Sequence, residues 1–289
     1  MSKCNSCPSK GSCNTSASSC GIVNNPYNNI KKVIGIMSGK GGVGKSTITT
    51  LLAKQLCNMG YKVGILDSDI TGPSIPRLMG LQNERAMSNG NDIYPVANED
   101  NIKTMSINYM VNTEDQPVVF KGPMITNTVK QFYSNVLWGE LDYLLIDMPP
   151  GTGDVAMTVM QSLPINGIVM VSVPQDMISM IVAKAINMAK KLNVNVLGIV
   201  ENMSYIQCPD CDKKIKLFDG EENNEFFANN NVDIIGELPM TREIIEITHN
   251  PPLFTATMFI CLYESCFPTH IMFQINIPQR IIREYLFGT

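Results

Sequence analysis

The segment Gly39-Lys-Gly-Gly-Val-Gly-Lys-Ser-Thr47 decides the fold of this chain. Up to its serine it fits the pattern G-x-x-x-x-G-K-[ST], in which glycines let consecutive backbone N–H groups turn toward phosphate oxygens. An apolar run, Val33 to Met37, precedes the segment, and Thr47 to Met59 carries apolar side chains at helical spacing. Strand, loop and helix in this order predict a phosphate-binding loop with the positive end of the helix directed at the anion.

Two lysines and a serine of this loop have candidate roles. Lys45 is expected to reach the β- and γ-phosphates of ATP, and Ser46 to offer its hydroxyl to Mg²⁺. Lys40 either projects across a dimer interface to the phosphates of a second subunit or is an ordinary solvated lysine. The candidate nucleotide-binding residues of the loop are Gly39, Lys40, Gly41, Gly42, Val43, Gly44, Lys45, Ser46 and Thr47.

Strands and helices alternate along the rest of the chain. Apolar runs predict strands at 62–66, 142–146, 167–173, 196–200 and 233–238, and helical spacing lies between them at about 124–137, 154–162 and 177–192. Buried strands that alternate with helices predict an α/β fold, a doubly wound and mostly parallel sheet with helices on both faces.

Three segments of different character follow along the 289 residues. Residues 1–30 are rich in Ser, Asn, Gly and Cys without apolar periodicity, which predicts a flexible, cysteine-bearing arm. Residues 31–248 hold the predicted ATPase domain. Residues 249–289 form an atypical tail with scattered prolines and aromatics.

Carboxylates follow two of the predicted strands. Asp67 and Asp69 come after 62–66, and Asp147 comes after 142–146. Ligands of open parallel sheets bind at the carboxyl ends of the strands, so these residues should face the same crevice as the loop. Asp69 is the candidate for orienting the attacking water and for ligating the metal, and Asp147 is the candidate for holding Mg²⁺. Asp67 is a further candidate for either role. The alternative for each aspartate is a helix cap or a turn.

Composition narrows the classes of function. The net charge of -4 gives no electrostatic reason to expect a nucleic-acid partner. The chain has no apolar run of about 18 residues and no secretory apolar segment at its start, which predicts a cytoplasmic protein without a membrane span. Its nine cysteines should then be mostly reduced, so clustered ones indicate metal ligands.

Two groups of cysteines stand out. Cys208-x-x-Cys211 can supply two thiolates to a metal centre, and a complete site of four would form across the two-fold axis of a dimer. A zinc knuckle and a redox dithiol are alternatives for this pair. The N-terminal group could form a second site or be loose thiols; its members are Cys4, Cys7, Cys13 and Cys20.

The chain resembles the Mrp/ApbC family of nucleotide-binding iron–sulfur carriers, deviant P-loop ATPases related to MinD and the nitrogenase iron protein. The resemblance covers about residues 30–245. It rests on the loop at 39–47 and on Asp67-Ser-Asp-Ile-Thr-Gly-Pro-Ser74, Asp147-Met-Pro-Pro-Gly-Thr-Gly-Asp154, Pro174-Gln-Asp176, Glu201-Asn-Met-Ser204 and Cys208-Pro-Asp-Cys211. The N-terminal cysteines are similar to the motif of the eukaryotic cytosolic branch, although Cys20 follows the run where that branch has a cysteine upstream.

The resemblance implies a homodimer, or a hetero-oligomer with a paralogous ATPase, that binds a labile [4Fe–4S] cluster and passes it to apo iron–sulfur proteins. It implies that Lys40 is the family's signature lysine and that Asn202 lies against the adenine. From the residues alone, Asn202 follows a predicted strand and a turn role is expected. The alternatives are a MinD-like positioning or partitioning switch, which would want an amphipathic membrane-binding helix, and a zinc-stabilised ATPase.

Overall fold

The computed structural model of the chain describes residues 25–111, 122–174, 178–208, 211, 213–216 and 232–240. The arm cysteines Cys4, Cys7, Cys13 and Cys20 lie outside the described residues, and so do residues 249–289. The Gln-Asp pair at 175–176 of the Pro174 motif lies outside them as well.

The predicted alternation of strands and helices is confirmed. The strands are β1 (Asn29–Ser38), β2 (Val63–Asp67), β3 (Val96–Ala97), β4 (Lys103–Met105), β5 (Glu140–Asp147), β6 (Gly167–Ser172), β7 (Val196–Gln207), β8 (Lys214–Ile215) and β9 (Ile234–Pro239). The helices are α1 (Lys45–Asn58), α2 (Ile75–Leu78), α3 (Gly122–Ser134), α4 (Asp154–Ser162) and α5 (Ile178–Lys191), with a 3₁₀ turn at Ile107–Tyr109. β1 begins at Asn29, so the last residues assigned to the arm belong to the sheet.

The strands form one mostly parallel sheet. Their order is β3-β4-β2-β5-β1-β6-β7-β8, and β9 pairs with β7. The β3–β4 and β7–β8 pairs are antiparallel, and the other pairs are parallel. The direction of strand addition reverses at β1: β2 to β5 lie on one side of it, and β6 to β9 lie on the other. The doubly wound α/β prediction is therefore confirmed.

The two faces of the sheet bury separate cores, because successive side chains of a strand point to opposite faces. In β5, Leu144 and Ile146 pack in one cluster with residues of α3, α4 and α5, and Leu145 packs in the other with residues of α1 and α2. All three side chains are fully buried. Burial of such a side chain stabilises the fold by about 1.5–3 kcal/mol. Helices thus cover both faces, as the continuous apolar strands require.

The strand register brings the chemically active residues to one edge. Ile36 of β1 is aligned with Asp147 of β5, and Asp147 is aligned with Asp67 of β2. β1 ends at Ser38, immediately before the glycine-rich loop. Both aspartates therefore lie at the carboxyl ends of neighbouring strands, next to that loop.

Within the described part of the chain, no helix has the length and apolar character needed to cross a membrane.

Candidate functional site

The glycine-rich loop has the backbone that its sequence predicts. Gly42 and Gly44 adopt positive φ values of 81° and 82°, which glycine tolerates better than other residues. Gly39 packs against Ile181 of α5, since a Cβ there would lie 2.9 Å from the Ile181 Cγ2 atom. α1 begins at Lys45, and among the described side chains none caps its first turn. The loop and the positive end of the helix are therefore available to an anion.

Asp147 is the centre of the polar contacts below this loop. Its Oδ2 accepts from Lys45 Nζ at 2.7 Å and from Ser46 Oγ at 2.6 Å, and its Oδ1 accepts from Thr49 Oγ1 at 2.8 Å. The Asp147 side chain is fully buried and that of Lys45 is 7% exposed. A charged pair at this depth needs such additional hydrogen bonds to offset its desolvation. Two predicted residues of the nucleotide site thus meet the predicted Mg²⁺ ligand directly.

Thr49 was not predicted from the sequence. It lies one helical turn after Lys45 and also donates to the Lys45 carbonyl at 3.0 Å. The i, i+4 spacing in α1 was the available signal, because it places Thr49 on the same helix face as Lys45.

Asp67 is a second buried carboxylate beside Asp147. Its Oδ2 accepts from Ser106 Oγ at 3.1 Å and from the Ile75 N–H at 3.4 Å, and its Oδ1 accepts from the Asp69 N–H at 3.2 Å. Burial, and then the neighbouring Asp147 charge, raise the pKa of Asp67 well above its ordinary value, against the opposing effect of Lys45. Asp67 fastens β2, the start of α2 and the end of β4 to one another. Ser106, which the sequence did not indicate, makes the last of these links.

Asp69 lies closer to solvent in the same crevice. Its Oδ1 accepts from Thr71 Oγ1 at 3.1 Å. Partial burial raises the pKa of Asp69, while the positive charge of Lys45 lowers it. The backbone N–H of Asp69 donates to Asp67 Oδ1 at 3.2 Å, so Asp69 lies beside the buried carboxylates, where the sequence predicts a role in orienting water. That role remains a prediction.

The loop after β5 donates backbone hydrogen bonds to the end of β1, immediately before the glycine-rich loop. The Met148 N–H donates to the Ile36 carbonyl at 3.0 Å, and the Gly151 N–H donates to the Ser38 carbonyl at 2.8 Å. Ser38 Oγ in turn donates to the Lys40 carbonyl at 2.9 Å. Lys40 is exposed. These bonds connect the loop after β5, through the end of β1, to the glycine-rich loop. The direction in which Lys40 acts remains a prediction.

Asn202 occupies a different position from the one that the sequence indicates. The expected turn after a strand at 196–200 is wrong, because β7 continues to Gln207. The strand is irregular there: Met203 has a φ of 55°, and the pairing with β9 shifts between Glu201 and Tyr205. Such an irregularity redirects a side chain. Asn202 is 1% exposed and lies against Gly44 of the glycine-rich loop.

The amide of Asn202 has one satisfied end and one unsatisfied end. Its Nδ2 donates to the Val43 carbonyl at 2.9 Å. Its Oδ1 is buried without a hydrogen-bond partner among the described atoms. A buried acceptor without a donor is costly, so this oxygen is suited to accept from a ligand. The implied contact with adenine remains a prediction.

Cys208 and Cys211 lie at the hairpin that follows β7. β7 and β8 pair antiparallel, and the Cys208 N–H donates to the Lys213 carbonyl at 3.1 Å where the hairpin loop begins. Cys208 is half-buried, Cys211 is exposed, and neither is in a disulfide. In the described part of the chain, no three His, Cys, Asp or Glu side chains are arranged to hold a metal ion. A metal centre at this pair remains a prediction.

The fold and the loop define a P-loop nucleoside triphosphatase. Within that class the chain belongs to the ParA family described as NUBPL iron-transfer P-loop NTPase, whose profile matches residues 29–258.

Relatives and solved structures agree with this assignment. An iron-sulfur cluster carrier protein of Clostridium perfringens is 47% identical over 264 residues, which cover 86% of this chain and 93% of the relative. The cytosolic Fe-S cluster assembly factor CFD1 of Saccharomyces cerevisiae is 42% identical over 229 residues, 76% of this chain and 78% of that protein. A nucleotide-binding protein of Archaeoglobus fulgidus, solved in complex with ADP, is 43% identical with a TM-score of 0.67 and covers 76% of this chain and 86% of its own.

The cell division protein MinD of Aquifex aeolicus shares the fold. It has a TM-score of 0.58 at 21% identity, over 87% of this chain and 97% of that one. At this identity the likeness concerns architecture alone. The functional comparison therefore rests on the iron–sulfur relatives, which are more than 40% identical to this chain.

Proposed function

We propose that this chain is an ATP-hydrolysing carrier that assembles a labile [4Fe–4S] cluster and delivers it to apo iron–sulfur proteins in the cytoplasm. It would act as a homodimer or as a hetero-oligomer with a paralogous ATPase. The observation that carries the proposal is that β7 bears Asn202 against the glycine-rich loop and leads directly into Cys208 at the hairpin. The two positions are six residues apart, which is at most about 20 Å of chain, because the strand is irregular at Met203.

The nucleotide end of the proposal rests on the contacts of Lys45. In the protein its ammonium is paired with Asp147, and a triphosphate would compete for the same charge. The hydroxyl of Ser46 and the carboxylate of Asp147 lie 2.6 Å apart and form a pair of hard oxygen donors, which fits Mg²⁺. When bound, Mg²⁺ neutralises phosphate charge. Asp69 would orient the water, Lys40 would reach the phosphates of the second subunit, and Asn202 Oδ1 would accept from the adenine amine.

The cluster-binding part of the proposal rests on two thiols, of which that of Cys208 is half-buried and that of Cys211 is exposed. Each chain offers Cys208 and Cys211, and a [4Fe–4S] cluster takes four thiolates, so a two-fold dimer completes the set. The arm cysteines Cys4, Cys7, Cys13 and Cys20 would hold a second cluster within one chain. Because Asn202 contacts the loop that binds nucleotide, a change in the loop would reach the hairpin through β7 and alter the geometry of the shared site.

Anaerobic reconstitution tests this function. Cys208→Ala with Cys211→Ala should lose the iron and sulfide of the shared site and weaken the dimer on gel filtration, while iron at the arm remains. Deletion of residues 1–20 is the matched control and should remove iron without changing the dimer. If the double cysteine variant keeps its full iron and its dimer, the shared-cluster proposal is wrong. Zinc without acid-labile sulfide would instead identify a zinc-stabilised ATPase.

A further inference from the structure

The β7–β8 hairpin places a lysine opposite one of the two cysteines. Gln207 pairs with Lys214 in antiparallel register. Cys208 and Lys213 come next, one residue beyond the paired strands, and the hydrogen bond from the Cys208 N–H to the Lys213 carbonyl at 3.1 Å extends the same register to them. Directly opposed residues of antiparallel strands project to the same face, with Cβ atoms about 5 Å apart. The Lys213 side chain therefore shares a face with the Cys208 thiol.

The neighbouring lysines have other surroundings. Lys214 projects to the opposite face, where its Nζ lies 4.3 Å from the centroid of the Tyr205 ring. Lys216 Nζ lies 3.5 Å from Glu237 Oε1. Lys213 is exposed, so its flexible ammonium can approach a ligand held by Cys208. The hairpin thus contains adjacent lysines of equal charge, one on the thiol face and one turned away from it.

We propose that Lys213 supplies positive charge that compensates the negative charge of the cluster bound at Cys208. This inference rests on the proposed function. A [4Fe–4S] core held by four thiolates is an anion, and net charge and surroundings set the behaviour of such clusters. In a two-fold dimer Lys213 occurs twice, once on each side of the shared cluster. Lys213 would therefore slow the loss of the cargo without being one of its ligands.

The local charge can be measured on the full metal-free chain. Iodoacetate is anionic and iodoacetamide is neutral, and the ratio of their alkylation rates at Cys208, resolved by mass spectrometry of the peptide, cancels the thiolate fraction. Unit charges about 6 Å apart in water-like surroundings change such a rate about threefold. Lys213→Gln should lower the ratio by about this factor at low ionic strength, and the effect should shrink in 1 M salt. Lys214→Gln should change it little. Equal ratios in the two variants would overturn the inference.

The reconstituted dimer gives the second measurement. Lys213→Gln should release iron to a ferrous chelator at least about threefold faster than the wild type, and Lys214→Gln at the wild-type rate. Equal melting temperatures of the metal-free variants show that folding is unaffected. If Cys208→Ala with Cys211→Ala loses iron but Lys213→Gln releases it at the wild-type rate, only the role of Lys213 is wrong. If that double variant loses no iron, the proposed function fails, and the role of Lys213 with it.

Discussion

Replacement of Asp147 by asparagine should destabilise the fold itself, apart from any effect on ATP hydrolysis. The change removes a fully buried charge that accepts from Lys45 at 2.7 Å, from Ser46 at 2.6 Å and from Thr49 at 2.8 Å. It leaves the Lys45 ammonium, itself 7% exposed, without its anionic partner. The asparagine Oδ1 can still accept a hydroxyl.

The expected magnitude follows from two opposing effects. Removing one partner of a buried ion pair costs about 3–5 kcal/mol. The neighbouring carboxylate offsets part of this, because the charge of Asp147 contributes to the raised pKa of Asp67 and its removal relieves that repulsion. We expect a net loss of about 2–4 kcal/mol in the free energy of unfolding, or about 4–8 °C in melting temperature for a chain of this size.

Urea unfolding followed by the fluorescence of Trp138, the sole tryptophan and fully buried, measures this loss. Asp147→Asn, Lys45→Met and the double variant complete a thermodynamic cycle, and the double variant should cost clearly less than the sum of the two. Lys31 and Asp142 provide the control. Their side chains are also 2.7 Å apart but are 68% and 20% exposed, so Lys31→Met should change stability little. Single-variant losses that add within about 0.5 kcal/mol would refute the coupling.

Three further outcomes are expected. Gly42→Ala should lower the free energy of unfolding by about 1 kcal/mol because of the positive φ at this position. Gly44 has nearly the same φ and a Cβ there would also collide with Asn202, so Gly44→Ala should cost at least about twice as much. Equal losses on urea unfolding would contradict that packing. The raised pKa of Asp67 means that the folded chain binds its proton more tightly, so the contribution of this residue to stability falls as pH rises above about 4. Asp67→Asn should therefore gain stability relative to the wild type as the pH rises from about 4 toward the raised pKa of Asp67. A constant difference across unfolding curves at several pH values would argue against the shift. Lys40→Ala should reduce ATP hydrolysis with nucleotide affinity nearly unchanged; equal loss of both would place Lys40 in its own subunit's site, and no loss would make it a solvated lysine.

The parts of the fold that sequence predicts are those with a strong local pattern. β5 was predictable because Tyr143 to Ile146 is a continuous apolar run, and α1 because its apolar residues recur at helical spacing after a glycine-rich loop. β3, β4 and β8 were not predicted, since strands of two or three residues have no periodicity and form only where a neighbouring strand offers its backbone. Tertiary context decides such elements.

In the candidate site, too, the residues with a local sequence signal were predictable and those that depend on tertiary contacts were not. Lys45, Ser46 and Asp147 were predictable because the motif fixes the first two and a strand end fixes the third. The packing of Asn202 on Val43 was not, because it depends on an irregularity of β7 and joins residues 159 positions apart. Ser106 was likewise invisible, since its contact with Asp67 depends on the register of β4 beside β2.

The end of β7 has a consequence for how such a protein can change over evolutionary time. Its pairing with β6 ends at Glu201 and its pairing with β9 ends at Tyr205, so within the described residues the last two positions of the strand pair only with β8. The short β7–β8 hairpin is a peripheral extension of the nucleotide-binding core. Insertions or replacements there leave the buried sheet contacts intact and meet little selection for stability. One nucleotide-binding core can therefore carry different hairpins without a change in its buried sheet contacts.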